Sequence, residues 1–154
     1  MTMRRRRTLV IGLALALVAT LLVVTMYTTL MGERPIETIQ TKVIEILREP
    51  EKYYNRVVLI EGKFMGWYVP KNLTGPPILT PPVTRSDWVI ADDTGWIYVS
   101  ATSPARCSLK PFSREDVGAK IIVKAVVKLR EIETKEGTVK VPYLYALECI
   151  VLKT

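Results

Sequence analysis

The sequence contains no histidine. That absence excludes a Ser-His-Asp triad, histidine-ligated haem and the commonest zinc sites, leaving carboxylate, lysine, tyrosine and cysteine chemistry. Cysteine is scarce too. Cys107 and Cys149 form no CxxC pair, so a redox centre is not expected. Neither cysteine lies near the apolar N-terminal run, which excludes a lipoprotein anchor there. That run also lacks the small-residue exit that a signal peptidase prefers.

What is present is a strong asymmetry of charge and hydropathy. "MRRRRTLVIGLALALVATLLVVTMYTTLMGER" places four arginines against an uncharged apolar stretch. At the helical rise, Leu9 to Met31 spans roughly 34 Å, enough for a hydrocarbon core of about 30 Å. The expectation is an uncleaved transmembrane signal-anchor over 9–31, with a cleaved signal peptide as the alternative. Basic residues remain on the cytoplasmic side. Residues 1–8 are therefore expected inside the cell, and a domain over 33–154 outside the membrane. Arg4 to Arg7 are read as a topology signal rather than a nucleic-acid contact. Setting them aside leaves 18 Lys and Arg against 15 Asp and Glu, a net of +3 that says little about polyanion binding.

Beyond the apolar run, Ile36, Ile39, Val43 and Ile46 or Leu47 recur at helical spacing. Pro35 suits a first helical turn and Pro50 a stop. An amphipathic helix over 36–48 is predicted, with a turn at Tyr53 to Asn55. "RVVLIEGKFMGWYV" alternates as a strand, with Val58, Ile60, Gly62 and Phe64 on one face and Glu61 and Lys63 on the other; Gly62 suggests a bulge or bend. Residues 70–87 carry five prolines and cannot form a ladder strand. Trp88 and Ile90 then face one way, and Val89 and Ala91 the other. After "DDTG" comes a further run in which Trp96 and Tyr98 alternate with Ile97 and Val99. Asp92 and Asp93 are adjacent, so they point in different directions and make a turn rather than an acid-base pair. A connector over 102–118 has room for a short helix at 113–116. Two long strands follow, over 119–134 and 139–153, joined by "KEGT".

This order of elements, with "VVLIEGKF" and "WVIADDTGWIYV", resembles the OB-fold, a five-stranded Greek-key barrel. The likeness runs over 39–152. More narrowly, the chain resembles prokaryotic membrane-anchored OB-fold proteins related to nucleic-acid-binding OB-folds. The resemblance implies an all-β barrel that binds an oligonucleotide, an oligosaccharide or a protein, chiefly over its second and third strands and the loops beside them. Fold alone does not choose among these ligands. Membrane-tethered OB-fold haem chaperones need a histidine, which this chain lacks.

Each candidate site has a plainer structural reading beside it. Trp67, Tyr68, Trp96 and Tyr98 either present aromatic faces to a partner or lie covered by the helix or the proline loop; Trp88 is expected in the core. Lys120, Lys124, Lys128 and Arg130 form a basic row that suits a nucleic-acid groove, or a solvated strand face whose lysines discourage edge pairing. Cys107 and Cys149 either bridge or remain separate thiols; closing a loop of about 43 residues contributes roughly 4 kcal/mol. "NLT" at Asn72 matches a glycosylation acceptor. No catalytic constellation, cofactor, metal site or small-molecule substrate is inferred. The reading is a membrane-tethered binding module with a protein partner in an envelope complex, or alternatively one for single-stranded nucleic acid.

Overall fold

Alternation with period two decides most of the architecture. The computed structural model describes residues 18–23, 25–26 and 37–153, and these fall into two units divided after residue 36. In the first unit the described residues are helical and carry exposed Val18, Leu21, Leu22, Val23 and Met26. Among the described residues no helix is long and apolar enough to cross a membrane. The expected anchor over 9–31 falls largely outside them, and the expected cytoplasmic segment over 1–8 entirely so.

In the second unit the elements run β1 (Thr38–Gln40), α1 (Val43–Arg48), α2 (Pro50–Tyr53), β2 (Val57–Gly66), β3 (Trp88–Ala91), β4 (Trp96–Val99), β5 (Lys120–Thr134) and β6 (Gly137–Val151). The sheet order is β1-β2-β3-β4-β6-β5, and β5 pairs back onto β2. Strands β2 to β6 thus close a five-stranded, OB-like barrel, with β1 added in parallel beside the start of β2. Within the barrel itself the neighbouring strands are antiparallel except β4 and β6, which meet in parallel at Val99 and Leu144. The connector continues that line: Ser100 N–H donates to Leu144 O at 2.9 Å, and Ala146 N–H to Ser103 Oγ at 2.9 Å.

The strand faces follow the alternation. Val58, Ile60, Phe64, Trp88, Ile90, Ile97, Val99, Ile121, Val123, Ala125 and Val127 are buried in one core. Trp88 stacks against Phe64 with ring centroids 5.0 Å apart. Val43 and Ile46 of α1 join that core, so the short helix packs its apolar side against the barrel.

Four local expectations change. The helix predicted over 36–48 starts later, because Ile39 pairs with Val58 in β1 and Thr41 N–H reaches Leu59 O at 3.3 Å. Pro50 begins a second helical turn, where its missing N–H costs nothing. Gly62 is not the bulge: the register slips between Phe64 and Gly66. Gly62 is instead a point of close approach, where a Cβ would lie 2.6 Å from Ala91 O. The short helix expected at 113–116 is a series of turns.

The N-terminus of α1 is held from across the chain. Asp92 Oδ2 accepts from Val43 N–H at 2.8 Å, and Thr94 Oγ1 from Ile44 N–H at 3.2 Å. Asp92 Oδ1 meanwhile accepts from Thr94 N–H, Thr94 Oγ1–H and Gly95 N–H at 2.7, 2.6 and 2.9 Å. Lys42 itself makes no side-chain cap. Cys107 and Cys149 are joined in a disulfide with Cα atoms 5.3 Å apart, packed against the same core.

Two outcomes follow for stability. Asp92→Ala removes both the turn and the helix cap, and is expected to cost about 2–3 kcal/mol in urea unfolding; Asp93→Ala, whose partner Lys42 is solvent-exposed, should leave the midpoint almost unmoved. Equal effects of the two substitutions would refute the capping role. Reduction of the disulfide is expected to lower the unfolding free energy by about 4 kcal/mol, read from paired denaturation curves with and without reductant.

Candidate functional site

The outer face of β3 and β4 is where the OB-fold resemblance leads one to look. Val89, Ala91, Trp96 and Tyr98 do share that face, but they form a second buried cluster with Met65, Val69, Leu73 and Tyr143. Trp96 and Tyr98 are each 2% exposed and meet edge to face at 5.2 Å. Of the two readings open for them, the structure has the covered one. The cover is the proline loop, residues 70–87, not the N-terminal helix.

The loop is bonded to the face it covers. Trp96 N–H donates to Thr74 O at 2.8 Å, and Tyr98 Oη–H donates to Leu79 O. Gly75 lies against the Trp96 indole so closely that any side chain there would collide with the ring. The loop's far end is clasped by buried Asp87. Its Oδ2 accepts from Val83 N–H at 2.8 Å and Thr84 N–H at 3.0 Å, and its Oδ1 from Ala101 N–H at 3.0 Å. Burial pushes the Tyr98 phenol above its ordinary pKa, with nearby Asp87 adding to the effect.

Exposed aromatic surface lies elsewhere. Trp67 is 51% exposed, Tyr68 39% and Phe112 63%. Trp67 and Phe112 rings are 6.1 Å apart, Trp67 N–H donates to Pro111 O at 3.0 Å, and Arg114 Nε–H donates to Tyr68 Oη at 3.1 Å. The end of β2 and the connector between β4 and β5 therefore build one patch. Sequence reasoning found Trp67 and Tyr68 but missed Phe112. No local pattern marks that residue, because the backbone contact bringing it to Trp67 spans two separate loops.

The basic row is divided among separate partners. Lys120, Lys124 and Lys128 occupy the outward positions of β5, but Lys124 Nζ is 3.7 Å from Glu148 Oε1. Lys128 Nζ donates to Asn55 Oδ1 at 2.8 Å, and Arg130 reaches Val83 O at 3.4 Å. Lys120 lines a groove of about 770 Å³ beside β2.

That groove is lined also by Lys42, Lys63, Glu45, Glu61, Asp92 and Asp93, and by the less polar Met65, Pro70 and Leu73. Several of its charges are already committed. Lys42 Nζ and Asp93 Oδ1 are 2.7 Å apart, which lowers the Asp93 pKa and raises that of Lys42. Glu45 is lowered chiefly by the hydrogen bond from the Thr41 hydroxyl. Asp92 faces the helix and Asp93 the lysine, so the adjacent carboxylates do not converge. Among the described residues no group of three or more carboxylates or thiolates is arranged to hold a metal ion. Asn72 is exposed on the proline loop.

The Tyr98 hydrogen bond has a pH signature. A phenol whose folded pKa is raised binds its proton more tightly folded than unfolded, so its contribution is intact below pH of about 10 and falls as pH climbs through the folded pKa. Ionised Tyr98 could also no longer donate to Leu79 O. Stability is therefore expected to decline on the alkaline side, with Tyr98→Phe flattening that decline, as followed by urea midpoints against pH; an unchanged alkaline slope would refute it. No protein-family model matches the chain, and no curated protein matches its sequence.

Proposed function

We propose that the chain is a non-catalytic binding module, tethered by its N-terminal apolar segment and facing outward, that docks a protein partner of the cell envelope. The observation that carries this reading is the exposed Trp67–Tyr68–Phe112 patch. Rigid aromatic side chains left in solvent beside a well-packed barrel are the usual anchors of protein interfaces. The disulfide supports an oxidising compartment. The leading arginines and the long apolar run that follows support a membrane anchor with the barrel outside. A tether would hold the barrel near other envelope components and raise its effective concentration for them.

Single-stranded nucleic acid is the second reading. Arg114 beside Tyr68, with Trp67 and Phe112 next to it, is an arrangement on which a base could stack. Against it stand the covered Trp96 and Tyr98 and the divided basic row, which together leave no continuous cationic track next to stacking surfaces. Protein docking accounts better for an aromatic patch with mixed charge around it.

A photo-crosslinking residue at position 67, used in native membranes, tests the choice. A discrete protein adduct is expected, and it should survive at half-molar salt, since aromatic burial is little screened. Phe112→Ala should weaken it severalfold. Recovery of nucleic acid instead, with affinity falling steeply as salt rises, would reverse the assignment.

A further inference from the structure

Lys63 of β2 and Lys120 of β5 are direct cross-strand partners in the antiparallel ladder. Side chains so placed have Cβ atoms about 5 Å apart, and two like charges there repel. Other lysines of the barrel have found partners: Lys42 has Asp93, Lys124 has Glu148 and Lys140 has Glu51. Among the described residues neither Lys63 nor Lys120 has a carboxylate within ion-pair distance. Glu61, two residues along the same face of β2, pairs with neither. Both lysines line the groove, together with the apolar residues Met65, Pro70 and Leu73.

We infer that this groove seats a carboxylate of the partner, an aspartate or glutamate flanked by apolar side chains, with the acid between Lys63 and Lys120 and its neighbour on Met65 and Leu73. The inference rests on the protein-docking reading above and names the chemistry of the segment that docks. Two lysines rooted opposite each other on adjacent strands can share one anion, and a bound carboxylate relieves the repulsion that the free barrel carries. The volume, about 770 Å³, suits a short peptide segment or a small molecule. A bare polyanion fits poorly, because Glu61, Glu45 and Asp93 border the same space.

The test uses the full chain in phosphatidylcholine nanodiscs and a fluorescent, amide-capped peptide carrying one aspartate between leucines, set against its asparagine counterpart. Fluorescence anisotropy is expected to show the aspartate peptide binding about tenfold tighter, the size of a charge-assisted hydrogen bond. The double substitution K63Q/K120Q should abolish that preference, K63R/K120R should keep it, and Glu61→Gln should enhance it. Equal affinity for the two peptides, or an unchanged preference in K63Q/K120Q, overturns the inference. So does a single-stranded oligonucleotide that binds more tightly than the peptide through the same two lysines. Retained adducts at position 67 with no carboxylate preference overturn the groove alone. A preserved preference with those adducts lost overturns the aromatic docking reading alone.

Discussion

The carboxylate of Asp92 connects the two parts of the barrel that could least hold themselves. Its Oδ1 organises the turn between β3 and β4, and its Oδ2 takes the first amide hydrogen of α1 from 49 positions earlier in the chain. A helix of six residues has little intrinsic stability. With its first N–H groups satisfied by Asp92 and Thr94, α1 can lay Val43 and Ile46 into the core. The core thus depends on a polar contact at its rim. The "DDTG" segment is structural for that reason, and its two acids diverge because each has a different neighbour to satisfy.

A second constraint sets what the surface can offer. The outer face of β3 and β4 carries two large aromatic residues, and the chain covers them itself with a loop stiffened by proline and clasped by Asp87. Proline reduces the conformational freedom lost when such a loop is laid down. What remains open has been displaced sideways, to the end of β2, where Trp67 and Tyr68 meet Phe112, and to the groove at the β2–β5 seam. A binding face over the second and third strands, which the OB-fold resemblance led one to expect, is therefore covered in this barrel.

Much of the fold was legible because strands buried on one side carry their facing in every second residue. The alternation of Ile121, Val123, Ala125 and Val127 with lysine reads directly as one wall of a barrel, and the inward Trp88 and Phe64 follow the same rule. The start of α1 was not legible. Ile39 fits a helical stripe as well as it fits a strand, and what decides between them is the ladder with Val58 and a cap supplied from Asp92, both remote in sequence. The candidate site was harder still. Alternation correctly put Trp96 and Tyr98 on the outer face, but the covering loop has no periodicity from which its path could be read. Phe112 and the Lys63–Lys120 juxtaposition are products of tertiary pairing alone.

The parallel docking of β1 on β2 has a mechanical side. Tension arriving along the chain at Thr38 and directed along the strand would load the short ladder in shear, so its bonds must yield together rather than peel one after another. Behind it, the amide of Val43 is latched to the turn between β3 and β4. A pull at that entry point is thereby shared with the turn between β3 and β4 as well as with the ladder.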